Sequence, residues 1–465
     1  MMKIYNTLSR SKQEFIPIES GKVKMYVCGP TVYNYFHIGN AKTFLFFDVV
    51  RRYLEYCGNE VIYVQNLTDI DDKLIDQSLR EKRPVAEIAE KYIKAFLEDI
   101  EKLGLKRPSH LPRATEYIEE MIELIKDLEK KGIAYEINGD VYFSVTTFEE
   151  YGKLSGKKLS ELKAGARVEE NIQKEHPADF TLWKKAKPGE PQWNSPWGKG
   201  RPGWHTECVV MSRKLLGDTF DIHGGAIDLI FPHHENEIAQ AESTSKLPLA
   251  NYWMHGGFLN IEGEKMSKSL KNFSLTRDVL KHYDPEAIRF FFLSKHYRSN
   301  IDYSPEILME STQAVKNLYS TLQGIDYLSF HNDFLPDQEN KKDKIRAEFK
   351  KIMDDDFNTA KAIAYLFDLG KVIKNPDEVE STRKLSAQLL VEIGQVLGFF
   401  NNIEQKLTSR FDNISIDLIE LLISYRKKFK DKKNWEMADL IRNDLKELGI
   451  ELQDTSKGTK WIFSE

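Results

Sequence analysis

Three separated segments of the sequence carry side chains that bind soft or borderline metal ions. One contributes Cys28, another contributes Cys208 within Gly-Trp-His-Thr-Glu-Cys, and the third is Phe-Pro-His-His-Glu-Asn-Glu, with His233 and Glu237. His233 and Glu237 are four residues apart after a proline, which places both on one face of a helix. Two thiols, one imidazole and one carboxylate form a ligand set that suits zinc. The sequence therefore offers a candidate zinc site.

Two other interpretations of these residues stay open from the spacing alone. Free cysteines are commonly buried in a hydrophobic core, and the same ligands could form a closed structural zinc site. The sequence has no Cys-x-x-Cys pair that would decide between them. Because Cys28 comes at the end of a predicted strand, an ion bound there would lie inside a catalytic cleft.

A short motif, His37-Ile38-Gly39-Asn40, follows the first predicted strand and begins the next helix. A helix N-terminus offers free backbone N–H groups and a positive dipole end, which suit phosphate. Gly39 allows close approach of a ligand to the backbone, and His37 and Asn40 add side-chain donors. The motif predicts a phosphate site, although on its own it also fits a turn followed by a helix cap.

A second motif lies far downstream, at Lys265-Met266-Ser267-Lys268-Ser269. Two lysines three residues apart on a glycine-flanked loop could clamp a triphosphate and stabilise charge as pyrophosphate leaves. The alternative is a solvated lysine loop. Together the two motifs predict that ATP, with Mg²⁺, is bound by His37, Gly39, Asn40, Lys265, Ser267 and Lys268. Of these, His37, Asn40, Lys265 and Lys268 are the predicted catalytic residues.

These motifs need a parallel sheet to bring them together. Residues 22–27 read as a strand, residues 38–56 carry apolar side chains at helical spacing, and residues 61–64 read as a second strand. A strand, helix and strand in this order begin a doubly wound α/β domain, in which ligands bind at the carboxyl ends of the strands. The pattern therefore predicts one cleft that contains Cys28 and Thr68.

The rest of the chain predicts an inserted segment and a helical part. Residues 132–145 read as a hairpin that turns at Asn138-Gly139-Asp140, and residues 151–201 read as irregular loops rich in Lys, Gly, Pro and Trp. The second half of the α/β domain resumes at Gly203. From about Ser304 the pattern is mainly helical, with one helical stretch over residues 341–374, and it ends in a small hairpin.

Composition favours a cytoplasmic protein without a membrane segment. The 465 residues are 41% hydrophobic and 30% charged, with a formal net charge of -5, so any nucleic-acid surface must be a local basic patch. The three cysteines give no disulfide framework, which fits a reducing compartment. The N-terminus has no apolar stretch of signal-peptide length, and no apolar run is long enough to span a bilayer.

The two nucleotide motifs together resemble those of class I aminoacyl-tRNA synthetases, in which the position of Asn40 is more often His. Longer blocks are more specific: MYVCGPTVYNYFHIGNAKTF, TDIDDK, GRPGWHTEC, DIHGG, FPHHENEIAQ, NYWMHGGFL and EKMSKS. Across essentially the whole chain these blocks resemble cysteinyl-tRNA synthetases of bacterial type. The resemblance implies that Cys28, Cys208, His233 and Glu237 bind zinc, and that the thiolate of the substrate is a further ligand.

The resemblance also implies a reaction, in which ATP activates L-cysteine to an adenylate and tRNA(Cys) receives it at its terminal ribose. Zinc would make the selection of cysteine a chemical test, since a thiolate binds zinc better than a neutral hydroxyl does. Individually, the histidines and the tryptophan of the pocket could be core residues and Asp228 a helix cap. The predicted substrate-binding residues are Gly29, Thr31, Thr68, Trp204, His205, His223, Asp228 and His255.

A basic run near the C-terminus predicts contact with tRNA. Residues 425–435 (YRKKFKDKKNW) hold six basic side chains against one acid, interleaved with aromatic rings that can stack on bases. The alternative is a solvated helix face. The predicted tRNA-binding residues are Arg426, Lys427, Lys428, Lys430, Lys432, Lys433 and Trp435.

The predicted fold class is α/β, with a Rossmann-like doubly wound catalytic domain that contains an insertion, followed by an α-helical bundle and a small anticodon-binding domain. A monomer is expected. Two rival functions stay open, a ligase that joins cysteine to an amino sugar and a non-catalytic RNA-binding protein with zinc. The predicted parts are residues 1–114 (first catalytic half), 115–201 (insertion), 202–258 (second catalytic half), 259–303 (second-motif loop and stem-contact region), 304–403 (helical bundle) and 404–465 (anticodon-binding domain).

Overall fold

A computed structural model describes residues 1–162, 174–261, 264–265, 274–325, 327, 336–455 and 458–463. The chain forms two compact units, Met1–Phe400 and Asn401–Glu465. Within the described residues, none of the helices combines the length and apolar character that a membrane crossing needs. The division into six parts that the sequence predicts stays a prediction.

Strands occur in small sheets along the chain. The bounds of the described strands are β1 Lys3–Asn6, β2 Ser11–Glu14, β3 Lys22–Val27, β4 Glu60–Gln65, β5 Ala134–Ile137, β6 Asp140–Phe143, β7 Phe180–Lys185, β8 Gly200–Pro202, β9 Phe220–Ala226, β10 Ala250–Gly256, β11 Leu259–Ile261, β12 Glu264–Lys265, β13 Ile301–Tyr303, β14 Ile450–Thr455 and β15 Gly458–Phe463.

Helices cover the sheets and form most of the chain after β13. The bounds of the described α-helices are α1 Ile38–Tyr56, α2 Asp72–Glu81, α3 Val85–Lys102, α4 Ile118–Lys130, α5 Leu159–Leu162, α6 Trp204–Leu216, α7 Glu235–Ser245, α8 Thr276–Val279, α9 Pro285–Leu293, α10 Pro305–Thr321, α11 Pro336–Met353, α12 Thr359–Lys374, α13 Glu380–Val396, α14 Ile403–Asp431 and α15 Trp435–Glu447.

The central sheet is parallel and has the strand order β10-β9-β3-β4. Its strands are largely buried because helices lie on the sheet, as their near-continuous apolar sequences indicate. The predicted strand at residues 22–27 and helix at residues 38–56 are confirmed, and β4 extends the second predicted strand by one residue at each end. The predicted α/β fold class is confirmed by this sheet and by the helical part that follows.

The insertion is more regular than the sequence predicts. The hairpin is confirmed, since β5 pairs antiparallel with β6 and both Asn138 and Gly139 have positive φ angles. The prediction of irregular loops over residues 151–201 is wrong for β7 and β8, which extend this hairpin to a four-stranded sheet. β8 has three residues (GRP) and gives little local signal. β7 (FTLWKK) does contain residues that favour a strand, but the Lys-, Gly- and Pro-rich sequence around it conceals them.

The helical part contains a break that the sequence pattern conceals. A single helical stretch over residues 341–374 is wrong, because α11 ends at Met353 and α12 begins at Thr359. Asp356 and Phe357 between them have positive φ angles. The Asp356 carboxylate stabilises this turn through contacts with other segments: it accepts hydrogen bonds from the backbone N–H of Tyr5, the Tyr297 hydroxyl and the Arg298 guanidinium.

A buried ion pair joins α1 to the helices that follow the sheet. Arg289 on α9 is fully buried, and its Nη1 lies 2.8 Å from Oδ2 of Asp48 on α1. The Arg289 guanidinium also donates to backbone oxygens of Gly104 and Leu397. Burial raises the pKa of Asp48, but Arg289 and Arg52 outweigh it and hold the pKa below its usual value. The pair therefore connects the first nucleotide-motif helix to the second half of the unit.

We expect Arg289→Met to lower the free energy of unfolding of the Met1–Phe400 unit by about 3 kcal/mol, because Asp48 would lose a buried partner. Urea denaturation followed by tryptophan fluorescence measures this change. Arg83→Met is the control. Arg83, just before α3, and Glu87, in the first turn of α3, form an exposed ion pair, and such pairs contribute about 0.5 kcal/mol or less. Equal effects of the two substitutions would contradict the expected role of Arg289.

Candidate active site and metal centre

A cleft of about 300 Å³ opens at the carboxyl ends of the parallel strands. Its position is the one in which open α/β sheets bind ligands. The cleft brings together predicted residues from two motif blocks and Asp228, and it also exposes Tyr33, Tyr35 and Lys73, which the sequence analysis did not select. The predicted site residues that line it are Cys28, Gly29, Thr31, His37, Gly39, Asn40, Trp204 and Asp228.

Cys28 directly follows β3, and a close backbone contact fixes the turn after it. The N–H of Gly29 donates to Asn66 Oδ1 at 2.7 Å. A Cβ atom at residue 29 would overlap the backbone oxygen of Asn66. Glycine is therefore required by packing here, and the predicted role of Gly29 in substrate binding has this structural requirement beside it.

Four predicted metal ligands from three elements meet in one buried cluster. The Cys28 and Cys208 sulfurs are 3.9 Å apart, and Cys208 Sγ lies 3.5 Å from His233 Nε2. His233 Nε2 lies 3.0 Å from Glu237 Oε1, which is 3.7 Å from Cys28 Sγ. The exposed fraction of these side chains is 6% for Cys28 and 1% or less for the other three.

These distances fit a tetrahedral metal site. Zinc bonds of about 2.0–2.3 Å at tetrahedral angles place two sulfurs about 3.8 Å apart, and a sulfur and a nitrogen or oxygen about 3.5 Å apart. The corresponding distances of 3.9, 3.5 and 3.7 Å agree with this geometry. The 3.0 Å between His233 Nε2 and Glu237 Oε1 must widen slightly for two thiols, an imidazole and a carboxylate to hold one metal ion. The group of donors that all lie within 4.8 Å of one another contains His234 in place of Cys208.

His234 is a neighbour of the cluster that the sequence analysis did not select. Donor atoms of Cys28, His233, His234 and Glu237 all lie within 4.8 Å of one another, and His234 Nε2 is 3.3 Å from Cys28 Sγ. The signal was present as the adjacent pair His233-His234. A helical turn leading into α7 directs both rings into the cluster.

A second layer of imidazoles orients the metal-site residues. His205 Nδ1 lies 2.9 Å from His233 Nδ1, and His223 Nε2 lies 2.8 Å from Glu237 Oε2. His255 Nε2 lies 2.8 Å from Nδ1 of His234. Such outer hydrogen bonds fix the orientation of ligand side chains. Three histidines predicted to bind substrate therefore lie behind the cluster, and none of the three is among the residues that line the cleft.

The electrostatics of the cluster favour the charged forms of His233, Cys208 and Glu237, whereas burial raises the pKa of the Cys28 thiol well above its usual value. Burial lowers the pKa of His233, but Glu237 and Cys208 outweigh it and raise the pKa to about 10. Burial raises the pKa of Cys208, but the hydrogen bond from Cys28 and the charge of His233 bring it down to about 6. The pKa of Glu237 is well below its usual value because His223 and His233 outweigh burial. A metal ion would displace the His233 proton, and its positive charge would then compensate the negative charges of Cys208 and Glu237.

The outer histidines have the opposite behaviour. Burial lowers the pKa of His205 to about 3, and the charge of His233 lowers it further against Glu237. Burial likewise lowers the pKa of His255 to about 3, together with His223. These rings are therefore neutral at physiological pH, and a neutral ring can accept at one nitrogen and donate at the other.

Trp204 and Thr68 lie beside the cluster at different depths. The Trp204 ring stacks on His233 with centroids 4.2 Å apart, and 38% of its side chain is exposed. Thr68 is buried, and its hydroxyl donates to Glu207 Oε1 at 2.8 Å. Burial raises the pKa of Glu207 well above its usual value. Trp204 therefore walls the cleft, while Thr68 lies one layer behind it.

The first nucleotide motif forms the N-terminus of α1. His37 is the N-cap, and its Nδ1 accepts a hydrogen bond from the N–H of Asn40. Asn40 Oδ1 in turn accepts from the N–H of His37 at 3.3 Å. This reciprocal pair is a capping box, so the Asn at this position contributes to the helix cap in addition to any contact with phosphate.

The second nucleotide motif begins at the end of a short hairpin. β12 ends at Lys265 and pairs antiparallel with β11, which pairs in parallel with β13. The predicted residues Ser267 and Lys268 lie outside the described residues. Downstream, the N–H of Ile38 donates to the Ser274 oxygen and the N–H of Thr276 donates to the Phe36 oxygen. The described segments on either side of the motif therefore approach the cleft.

The predicted tRNA-binding run lies in the Asn401–Glu465 unit, on α14 and the turn before α15. Arg426 differs from its neighbours, because its side chain is 2% exposed and forms a bidentate pair with Asp454. Lys430 also contacts Asp454. Arg426 is therefore held inside the unit, against its predicted role on the surface. The exposed members of the run are Lys427, Lys428, Lys432, Lys433 and Trp435.

Comparison with known proteins agrees with the cleft and the cluster. A family model described as the catalytic domain of class I (C) tRNA synthetases matches residues 14–313. A model described as a DALR domain matches residues 348–401. The fold and the site define a class I tRNA synthetase.

Curated relatives narrow this class to one family. The Cysteine--tRNA ligases of Desulforamulus reducens and Clostridioides difficile are 48% and 49% identical to the chain, each over 99% of both proteins. That of Carboxydothermus hydrogenoformans is 50% identical over 99% of both. The chain belongs to the cysteine--tRNA ligase family.

Solved structures support the fold at low sequence identity. The Mycobacterium tuberculosis methionyl-tRNA synthetase in complex with methionyl-adenylate has a TM-score of 0.56 and 13% identity, covering 86% of this chain and 94% of that one. The LeuRS of Agrobacterium radiobacter K84, in a ternary complex with tRNA, has a TM-score of 0.61 and 10% identity, covering 84% and 87%. Both are class I synthetases, which confirms the fold class.

We expect Gly29→Ala to lose bound metal, because its Cβ would push the turn away from Asn66 and displace Cys28. Metal content per folded chain, measured by plasma mass spectrometry, tests this expectation. Gly256→Ala is the matched control, since a Cβ there would meet no atom closer than 3.9 Å. Equal metal content in the two variants would show that the turn after Cys28 tolerates a side chain.

Proposed function

We propose that the protein activates L-cysteine with ATP and transfers it to tRNA(Cys). The observation that carries this proposal is the position of the buried donor cluster: Cys28 belongs both to the cluster and to the lining of the cleft that ends at the His37–Asn40 helix cap. A thiol-binding group and a phosphate-binding helix N-terminus therefore share one cavity. Membership of the family supports this assignment.

The metal of the cluster is proposed to be zinc, one ion per chain, held by Cys28, Cys208, His233 and Glu237. Mixed thiolate, imidazole and carboxylate ligands suit this ion. Zinc, when bound, supplies an acceptor for the substrate thiolate and favours loss of the thiol proton. The residues around it act on orientation: His205 and His223 hold His233 and Glu237, and His255 holds His234.

The amino-acid end of the cleft is assigned to residues that border the cluster. Trp204 covers His233 and leaves the substrate side chain a narrow approach beside Cys28. Asp228 is exposed in the same cleft and can accept hydrogen bonds from the substrate ammonium. Gly29 and Thr31 supply backbone close to the substrate, and Thr68 supports them through its bridge to Thr31.

The phosphate end is assigned to the two nucleotide motifs, with Mg²⁺ entering as part of the ATP substrate. The positive end of the α1 dipole and the backbone of Gly39, with the side chains of His37 and Asn40, hold the phosphates. Lys265, Ser267 and Lys268 stabilise the charge that develops as pyrophosphate leaves. The cysteine carboxylate attacks the α-phosphorus in line, forming cysteinyl-adenylate, so catalysis depends on positioning and charge stabilisation.

In the second step, the terminal ribose hydroxyl of tRNA attacks the carbonyl carbon of the adenylate and AMP leaves. Resemblance to class I enzymes points to the 2′-OH. The surface proposed to contact tRNA in the Asn401–Glu465 unit consists of Lys427, Lys428, Lys432, Lys433 and Trp435. Here Lys428 lies over the Tyr425 ring at 4.9 Å, so cations and aromatic faces are adjacent as single-stranded RNA requires. We further propose a cytoplasmic monomer.

Two rival functions are separated from this proposal by one pair of assays. A ligase for an amino sugar would support cysteine-dependent ATP–pyrophosphate exchange but no charging of tRNA. A non-catalytic RNA-binding protein would support neither. The curated relatives match the chain over 99% of its length, including the C-terminal unit that carries the basic run, which favours the tRNA substrate.

We expect Cys208→Ala to weaken zinc binding by more than about a hundredfold, since loss of an outer-layer partner alone costs about 10–100-fold. Zinc content after dialysis against a chelator, together with cysteine and serine activation, measures this effect. Cys57→Ala is the control because Cys57 is exposed and remote in sequence from the ligand segments. A folded, zinc-depleted enzyme that still selected cysteine over serine would overturn the role of zinc.

We expect Lys268→Ala to lower kcat for cysteine-dependent ATP–pyrophosphate exchange by about a hundredfold, the usual effect of removing one donor that stabilises developing charge. Cysteine binding should change little, because Lys268 is assigned to the phosphate end. Lys94→Ala, at an exposed position of α3, is the control. Unchanged exchange in Lys268→Ala would remove this residue from the mechanism.

A further inference from the structure

Lys42 is a buried cation on α1, two residues after the first nucleotide motif. Its side chain is 4% exposed. The Lys42 Nζ donates to the backbone oxygens of Gly257 at 2.6 Å, Ser299 at 2.8 Å and Phe258 at 3.3 Å. An ammonium group has three N–H donors, so each donor of Lys42 has a carbonyl acceptor.

The three carbonyls belong to the two segments from which the second-motif hairpin starts. Gly257 and Phe258 directly precede β11, and Ser299 lies just before β13, the parallel partner of β11. Backbone bonds already join these segments, because the N–H of Gly257 donates to the Tyr297 oxygen and that of Ile301 to the Phe258 oxygen. The Lys42 side chain also bonds α1 to these two segments. It therefore connects the first motif to the base of the hairpin that ends at Lys265.

A second connection lies on the far side of the second motif. Backbone hydrogen bonds pair Phe36 and Ile38 with Thr276 and Ser274. This connection uses backbone hydrogen bonds, whereas the upstream connection combines the Lys42 hydrogen bonds with apolar packing of Leu259 in the same core cluster as α1 residues. A substitution at Lys42 therefore loosens the upstream connection selectively.

Burying the Lys42 ammonium group costs free energy, which its three hydrogen bonds must offset. Burial lowers the pKa of Lys42 to about 7. Convergent carbonyl dipoles stabilise an ammonium only when all three oxygens stay close to it, so the charge resists any movement of the hairpin base away from α1. A buried carboxylate partner would have neutralised Lys42 without holding this backbone.

We propose that Lys42 is a positioning residue for adenylation, which keeps the hairpin ending at Lys265 in register with the phosphate-binding terminus of α1. Lys42 does not line the cleft and acts through the backbone of Gly257 and Phe258, which do. The proposal rests on the proposed function, since it assigns both motifs to the phosphates of ATP.

The test compares Lys42→Met and Lys42→Arg with the wild-type chain. In Lys42→Met we expect the KM for ATP to rise and kcat for exchange to fall, each by about tenfold, because a shift of about 1 Å can cost a hundredfold in rate. The KM for cysteine and the zinc content should stay within about twofold, since the cluster lies at the other end of the cleft. Lys42→Arg should recover most of the loss because it keeps the charge and the donors. Lys295→Met is the control, because Lys295 is an exposed lysine that lines a small cavity together with Lys42.

Hydrogen exchange supplies a readout that does not depend on activity. The amides of β11 should exchange faster in Lys42→Met, with β10 unchanged as the internal reference. Three results would each overturn the proposal: equal rises in the KM for ATP and the KM for cysteine, a fall in the active fraction with both KM values unchanged, or unchanged amide hydrogen exchange in β11. If the wild-type chain failed to catalyse cysteine-dependent ATP–pyrophosphate exchange, the proposed function would fail. The amide hydrogen exchange of β11 would still show whether Lys42 stabilises the base of the hairpin.

Discussion

Polar and ionisable donors buried at the end of a parallel sheet are the constraint on which the structure most depends. Cys208, His233 and Glu237 are almost completely buried, and a buried polar group is costly unless each of its polar atoms has a partner. The outer imidazoles supply such partners to His233 and Glu237, since His205 contacts His233 and His223 contacts Glu237; Nδ1 of His223 itself has no hydrogen-bond partner among the described residues. The number of histidines in the motif blocks therefore reflects the need to satisfy a buried site as much as the chemistry of substrate binding.

The two proposed ends of the cleft differ in how their elements are attached to the sheet. The amino-acid end is built from the end of β3, the first turns of α6 and the helical turn that leads into α7, and these elements pack directly against the sheet. The phosphate end is built from a helix terminus and a short hairpin, which are joined by the Lys42 ammonium and by backbone bonds. Recognition of a small side chain needs fixed distances, whereas a triphosphate that leaves as pyrophosphate needs a site that can release it.

Local patterns in the sequence predicted the parts of the site that depend on local structure. The strand before Cys28, the helix after His37 and the spacing of His233 and Glu237 are all short-range features, and the structure has them. The contact of His234 with His255 could not be predicted in this way, and neither could the three-residue strand β8, because each depends on a partner outside its local sequence. Arg426 shows the same limit, since charge alone does not reveal that Asp454 holds its guanidinium inside the unit.

One cavity can serve both the selection of cysteine and its adenylation. The reason is the side from which a substrate reaches the cluster. Of the four proposed ligands, Cys28 lines the cleft, while the other three are not among its lining residues. The Trp204 ring stacks on His233, so from this cleft a substrate side chain reaches the cluster beside Cys28. An apolar pocket would separate cysteine from serine by only about 1–3 kcal/mol. The proposed zinc ion beside Cys28 would make the selection of cysteine depend on sulfur chemistry, and a thiolate bound there would direct the carboxylate of the same substrate towards the proposed phosphate end of the cleft.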